Sequence, residues 1–297
     1  MKFLEKYQIY LYSMKVKVPS SYWLGVVVLF SFLLGGVGYL VSPKLGILMF
    51  VVILDLGIGI PIYLYDRHIN NIERYWAEAL KLIADTMKAG SSFDYALREV
   101  CVADFGELSF EINEVIRRIE MGDSTTKALD VLSYRVESKI VRRTVTLIKE
   151  SLRTGAPLAE VLEEIAHDTQ YIFRIKKERQ TKTMLQTIFI VATSAVVAPF
   201  IFGMTRVITK FLTDVATTTG IASADALVVA ITTQSTIFML LDIYIVIEVL
   251  AASAMIAVMR EGKLSPMYVY FPVLLVLAYV VYSISQVVLN AMLTGMM

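Results

Sequence analysis

The chain has 297 residues, of which 57% are hydrophobic and only 19% charged, with 28 Lys and Arg against 27 Asp and Glu. A mean hydropathy of +0.64 is too apolar for a soluble domain of this length. The even charge balance excludes a nucleic-acid module, which needs a basic excess on one face, and the single cysteine excludes an internal disulfide or a cysteine-based zinc site.

The chain opens with a tail, residues 1–21, carrying Lys2, Lys6, Lys15 and Lys17. Two apolar blocks follow, at about 22–41 and 45–65, each long enough to cross a hydrocarbon core that takes about 20 helical residues. Only SPKL joins them, and Pro43 forces a tight hairpin. A long charged lead and a second span directly behind the first argue against a cleavable signal peptide. The glycines of GGVG, Gly35 to Gly38, suit close helix packing, and Pro61 predicts a kink.

Residues 66–182 hold 20 of the acids and 19 of the bases, a local balance of 19 − 20 = −1. Within this stretch one pattern occurs three times, as AGSSFDYALREV, MGDSTTKALDVL and TGAPLAEVLEEI. Each copy has a Gly (Gly90, Gly122, Gly155), a helix-starting residue two later (Ser92, Ser124, Pro157), then a small or branched residue and Leu97, Leu129 or Leu162. Repetition at this period signals helical hairpins. Six helices are expected, each of three long ones handing over to a partner through a Gly turn. Their apolar stripes run through Ile72, Trp76, Leu80 and Ile83; through Leu108, Ile112 and Val115; through Thr144, Leu147, Ile148 and Leu152; and through Leu158, Leu162, Ile165 and Thr169. The sixth helix meets no Gly or Pro before Pro199, so it is expected to run unbroken into the next span.

Three further spans are expected at about 184–204, 237–259 and 267–289. Between the first two of these, residues 205–236 form either a segment lying flat at the outer interface or a helical extension of the third span. Lys and Arg gather in the tail and in Arg174, Lys176, Lys177, Arg179 and Lys182, against only Lys44, Arg206 and Lys210 on the other side. The positive-inside rule therefore places the amino terminus and the charged domain in the cytoplasm. The basic cluster before the third span is expected to serve as a topology anchor on anionic lipid. The expected fold is all-α: a multi-pass protein of the cell membrane with about five transmembrane helices and a cytoplasmic six-helix domain at 66–182.

Several residues are candidates for function. Arg117 with Arg118 and Arg142 with Arg143 offer multidentate pairing to an acidic protein surface. The alternative is solvated faces balanced by Glu114, Glu120 and Glu137. Asp55, Asp242 and Glu248 lie inside apolar spans, where an acid normally needs a partner. They mark a subunit contact, a proton path, or packing glue hydrogen-bonded by Tyr244, Ser253, Ser283, Ser285, Gln286 or Asn290. Asp242 and Glu248 are six apart and do not share a helix face. His68 and His167 have no acidic ligand spacing around them, and no metal or other cofactor is expected. No phosphate-binding loop is present.

The Gly, cap, Leu signature, strongest in ESLRTGAPLAEVLEEI at residues 150–165, resembles the F domain of type II secretion. That domain belongs to the inner-membrane platform proteins of type II secretion, type IV pili, Tad pili and the archaeal flagellum. One such domain with two spans before it and three after is similar to the Tad-type B and C proteins. The resemblance implies a non-enzymatic role. It implies engagement by a secretion ATPase of the type II/IV family, movement of pilin-like subunits, and pairing with itself or a sister platform chain. Contact to that ATPase is the lesser alternative for the basic cluster before the third span. The competing class is a small transporter or intramembrane enzyme using Asp55, Asp242 and Glu248. Unlike sets of spans on either side of the domain disfavour it, since transporters are usually built from related halves.

Overall fold

A computed structural model describes residues 7, 8, 10, 19–154, 157–219 and 224–294. The lysines of the amino-terminal tail and Gly155 lie outside the described residues. Among these residues the chain is all-α, and five helices are long and apolar enough to cross a membrane. The protein is an all-α polytopic membrane protein. It divides into two units, residues 64–178 and residues 1–63 with 179–297.

The charged unit, 64–178, is built on the second half of helix α2 (Pro43–Lys88), then α3 (Phe93–Val102), α4 (Glu107–Glu120), α5 (Thr125–Arg135), α6 (Lys139–Thr154) and most of α7 (Leu158–Lys182). Gly90 and Gly122 sit at φ +92° and +95°, the left-handed region that suits glycine. Each closes a helix with paired bonds. Gly90 N donates to Met87 O at 2.9 Å and Ser91 N to Thr86 O at 3.3 Å; Gly122 N donates to Ile119 O and Asp123 N to Arg118 O, both at 3.0 Å. These are Schellman closures that satisfy carbonyls the helix end would otherwise orphan. The repeated leucines, Leu97, Leu129 and Leu162, are all buried in one core with Trp76, Leu80, Ile83, Ile112 and Ile148. The repeat is therefore a packing device, one leucine per hairpin.

The caps differ from copy to copy. Ser92 accepts from Tyr95 N at 3.3 Å, whereas Ser124 makes no side-chain cap bond and turns its hydroxyl to Thr126 Oγ1 at 3.2 Å. Pro157 precedes the seventh helix instead of entering its first turn, and its carbonyl accepts from Glu160 N at 3.1 Å. A cap the sequence pattern passed over is Ser138, fully buried, which accepts from Ile140 N at 3.1 Å and Val141 N at 3.3 Å and donates to Glu73 at 2.5 Å. The stripe on α6 also turns: Leu147 and Leu152 are exposed, and Val141 and Val145 take the core positions. Val141 lies three residues before Thr144 and Val145 three before Ile148, so the apolar face is real but rotated by one position.

The membrane unit begins with α1 (Ser20–Val41), which returns as α2 through Ser42. At Gly46 a Cβ would meet Tyr39 N at 2.7 Å and Gly35 O at 2.8 Å, so the hairpin closes only because glycines face each other there. Pro61 lies inside α2 and has no N–H to give the carbonyl of Gly57. That carbonyl accepts instead from Trp23 Nε1 at 3.1 Å and from the Tyr7 hydroxyl at 3.2 Å. A backbone group freed in an apolar span is thus satisfied by side chains from elsewhere in the unit.

The third span is α8 (Met184–Ala192), a π-helical turn at Thr193–Val197, and α9 (Ala198–Thr218). The expected unbroken helix is locally bent at Thr183, at φ −90° and ψ 0°. Its ladder persists there, with Thr183 N to Arg179 O and Thr187 N to Thr183 O both at 2.9 Å. The wide turn packs its Ala195 against Ile245, Val249, Leu274 and Ala278 of the last two helices, α10 (Ala224–Glu261) and α11 (Met267–Thr294). Residues 205–236 divide between the end of α9 and the start of α10, with 220–223 outside the described residues.

Candidate functional site

Two places carry the charged residues singled out by sequence, one in each unit. In the charged unit the doublets separate. Arg117 grips Glu114 with both arms, at 3.0 and 2.7 Å, and this bond holds the Glu114 carboxyl below its ordinary range. Arg118 lies 3.8 Å from both Glu114 and Asp123. Glu114 thus balances its doublet as expected, whereas the other two expected acids are engaged elsewhere: Glu120 pairs with Arg98 at 2.7 Å, and Glu137 accepts from the Tyr65 hydroxyl at 2.9 Å.

Arg142 and Arg143 stay free. Both are exposed on α6, opposite the buried Val141, Thr144, Val145 and Ile148, and neither has an acidic partner among the described residues. Their helix is fixed by the Ser138 cap and by Lys149 bonded to Asp130 at 2.6 Å. They therefore project as two unclaimed guanidinium groups from a rigid helix, each with five donors for a partner's carboxylates. His68, read as isolated, meets Glu107 at 2.5 Å, and no group of three metal-ligating side chains forms among the described residues.

In the membrane unit the three acids do not make one site. Asp242 is the hub of a cluster spanning four helices. Lys44 Nζ approaches its two oxygens at 2.9 and 2.7 Å, Arg206 Nη1 at 3.3 and 3.4 Å, and the Tyr282 hydroxyl donates to it at 2.9 Å. Arg206 also donates to the Tyr282 oxygen at 2.8 Å and stacks over Phe238 at 4.4 Å. Gly203, one turn before Arg206, makes this possible: a Cβ there would collide with Ser285 Oγ, so the missing side chain lets α9 reach α11. Beside Lys44 and Asp242 lies an apolar cavity of about 150 Å³ with Ile47, Val51, Ile245 and Leu275 in its wall.

Three of the six expected hydrogen-bond donors to the acids serve other groups. Ser253, Ser285 and Gln286 each bond a carbonyl of their own helix, Leu250 O at 2.8 Å and Tyr282 O at 2.9 and 3.3 Å. Asp55 Oδ2 and Glu248 Oε2 are buried with no hydrogen-bond partner among the described residues. Sequence reasoning missed Lys44, Arg206 and Tyr282 as partners of Asp242. Lys44 and Arg206 were visible as bases near span ends, but nothing local links them to a carboxylate on another helix.

Residues 79–205 match the family model of type II secretion system protein F. The match contains both arginine doublets and ends one residue before Arg206, so Asp242 and its partners lie outside it. An uncharacterized protein of Methanocaldococcus jannaschii is 26% identical over 130 residues, which is 43% of this chain and 44% of that protein. The aligned region thus spans less than half of the relative's length. No solved structure matches the chain. Over residues 79–205, less than half of its length, the chain is thus similar to the F domain of type II secretion.

Proposed function

We propose that the protein is a non-enzymatic membrane platform that couples a cytoplasmic secretion ATPase to the movement of pilin-like subunits in a type IV-pilus-like system. The F domain supports the platform class. What carries the ATPase step is the pair Arg142 and Arg143, exposed without acidic partners within the matched segment. Every arginine satisfied by its own acid has little left to offer a partner, whereas an unpaired one gains both charge and multidentate hydrogen bonding on docking. The docking surface is therefore α6, and the Arg117–Arg118 doublet of α4 is a structural pair.

Asp55 and Glu248 fit the same reading as contacts to other membrane chains. A carboxyl oxygen buried at span depth without a donor calls for a partner, and a pilin-like helix, a second copy or a sister platform chain would supply one. The transporter alternative loses its central residue, since Asp242 is already held by two cations and a phenol.

The test is filament assembly in cells. Arg142→Glu with Arg143→Glu is expected to abolish filaments while the protein accumulates normally in the membrane. Arg117→Glu with Arg118→Glu is expected to act, if at all, through reduced protein level. Normal filaments from the α6 variant would refute ATPase docking there.

A further inference from the structure

Beyond the Asp242 cluster, the ends of α9, α10 and α11 enclose a second cavity of about 510 Å³. Its wall is polar where a span would be apolar: Arg206, Lys210, Thr213, Gln234, Gln286 and Asn290 all contribute. The charge around it does not balance. Its own wall carries two bases, Arg206 and Lys210, and one acid, Asp214, leaving 2 − 1 = +1. Lys210 has no acidic partner among the described residues, and Arg206 spends only one arm on Asp242 and Tyr282. Lys210 is exposed, so this surplus positive charge is open to an anion from outside the chain.

Depth identifies which anion. The α10–α11 turn, closed by Gly262 at φ +69° with Arg179 Nη2 bonded to Arg260 O at 3.5 Å, marks one end of the spans. From that turn Asp242 lies 19 residues back along α10 and Tyr282 lies 15 residues along α11. At about 1.5 Å per residue these are roughly 28 and 22 Å away, near the far edge of a core about 30 Å thick. Gln234 and Asn290 lie 27 and 23 residues from the same turn. Those separations are roughly 40 and 35 Å, the level of headgroups.

We infer that this cavity is a binding site for the phosphate of an anionic phospholipid headgroup, held by Arg206 and Lys210 with an amide donor from Gln234. Arg206 then bridges two anions, the internal carboxylate and the external phosphate. The lipid completes the charge balance of the helix ends. This site is independent of ATPase docking, since it uses residues outside the F-domain match.

The experiment uses the full chain, equilibrated with mixed phosphatidylglycerol and phosphatidylcholine vesicles, extracted, and examined by native mass spectrometry and by thermal melting. Retention of phosphatidylglycerol over phosphatidylcholine by roughly fivefold per base, the ratio equivalent to about 1 kcal/mol, is expected. Lys210→Gln, which breaks no internal ion pair, is expected to lose one such factor. A second arm adds inorganic phosphate to lipid-stripped protein: a melting shift smaller than that from phosphatidylglycerol is expected. Equal retention of the two lipids, or an unchanged preference in Lys210→Gln, would overturn the site. A full melting shift from inorganic phosphate with none from lipid would overturn the headgroup as its source.

Discussion

The same charged side chains do different things in the two units. In the charged unit they are numerous and pair one to one on exposed surfaces: Arg117 with Glu114, Arg135 with Glu111, Arg153 with Glu150, Lys88 with Glu163. In the membrane unit they are few, and one carboxylate, Asp242, is shared by two bases and a phenol drawn from three other helices. Water solvates the first kind, so each pair adds little. Lipid solvates nothing, so the second kind must be assembled or excluded. The order of the charged unit therefore comes from its leucines and glycine turns, and that of the helix ends in the membrane unit from charge.

That contrast can be broken most forcefully in the charged unit's core. Leu129→Ala removes a fully buried side chain and should cost about 2–5 kcal/mol, read as loss of the unit's cooperative melting transition. Next is the hub of the membrane unit. Asp242→Asn leaves Lys44 and Arg206 without the carboxylate they share. It is expected to lower the midpoint of unfolding in detergent clearly, while Glu114→Gln leaves the midpoint where it was. Equal effects from these two would erase the distinction between the units.

A smaller effect separates made caps from nominal ones. Ser138→Ala removes an acceptor from Ile140 N and Val141 N and should cost about 1 kcal/mol. Ser124→Ala removes no cap bond and should be silent. The smallest effect is acid sensitivity. Glu114, Glu150 and Glu163 have their carboxyls held below the ordinary range by hydrogen bonds from Arg117, Arg153 and Lys88. A group lowered on folding stabilises above its unfolded pKa and loses that contribution as pH falls through the folded value. Melting of the charged unit should be flat from neutral pH to about 5 and decline slightly below about 4. A decline near neutrality would point to other groups.

How much could be read from sequence follows the same division. The turns at Gly90 and Gly122 were legible because a helix end and its left-handed residue are local, and the buried Leu97, Leu129 and Leu162 followed from spacing alone. Leu147 and Leu152 were misplaced because Thr144 and Ile148 fit either of two neighbouring stripes, and only packing chooses between them. The partners of Asp242 were not legible: they lie 198, 36 and 40 residues away, joined by a helix approach that depends on the small size of Gly203. The arginine doublets looked alike in sequence. What distinguishes them is that Glu114, one turn before Arg117 and Arg118, serves both, while α6 offers Arg142 and Arg143 no acid at that spacing.

The central claim, that α6 presents the docking surface for the ATPase, is tested most directly by affinity. The full-length protein in nanodiscs would be titrated with a purified secretion ATPase of the type II/IV family from the same cells, comparing wild type, Arg142→Glu with Arg143→Glu, and Arg117→Glu with Arg118→Glu. The account predicts that the α6 variant loses binding by at least about a hundredfold, roughly 2.7 kcal/mol, while the α4 variant, if it remains folded, binds like wild type. Undiminished binding by the α6 variant, with loss confined to the α4 variant, would contradict it.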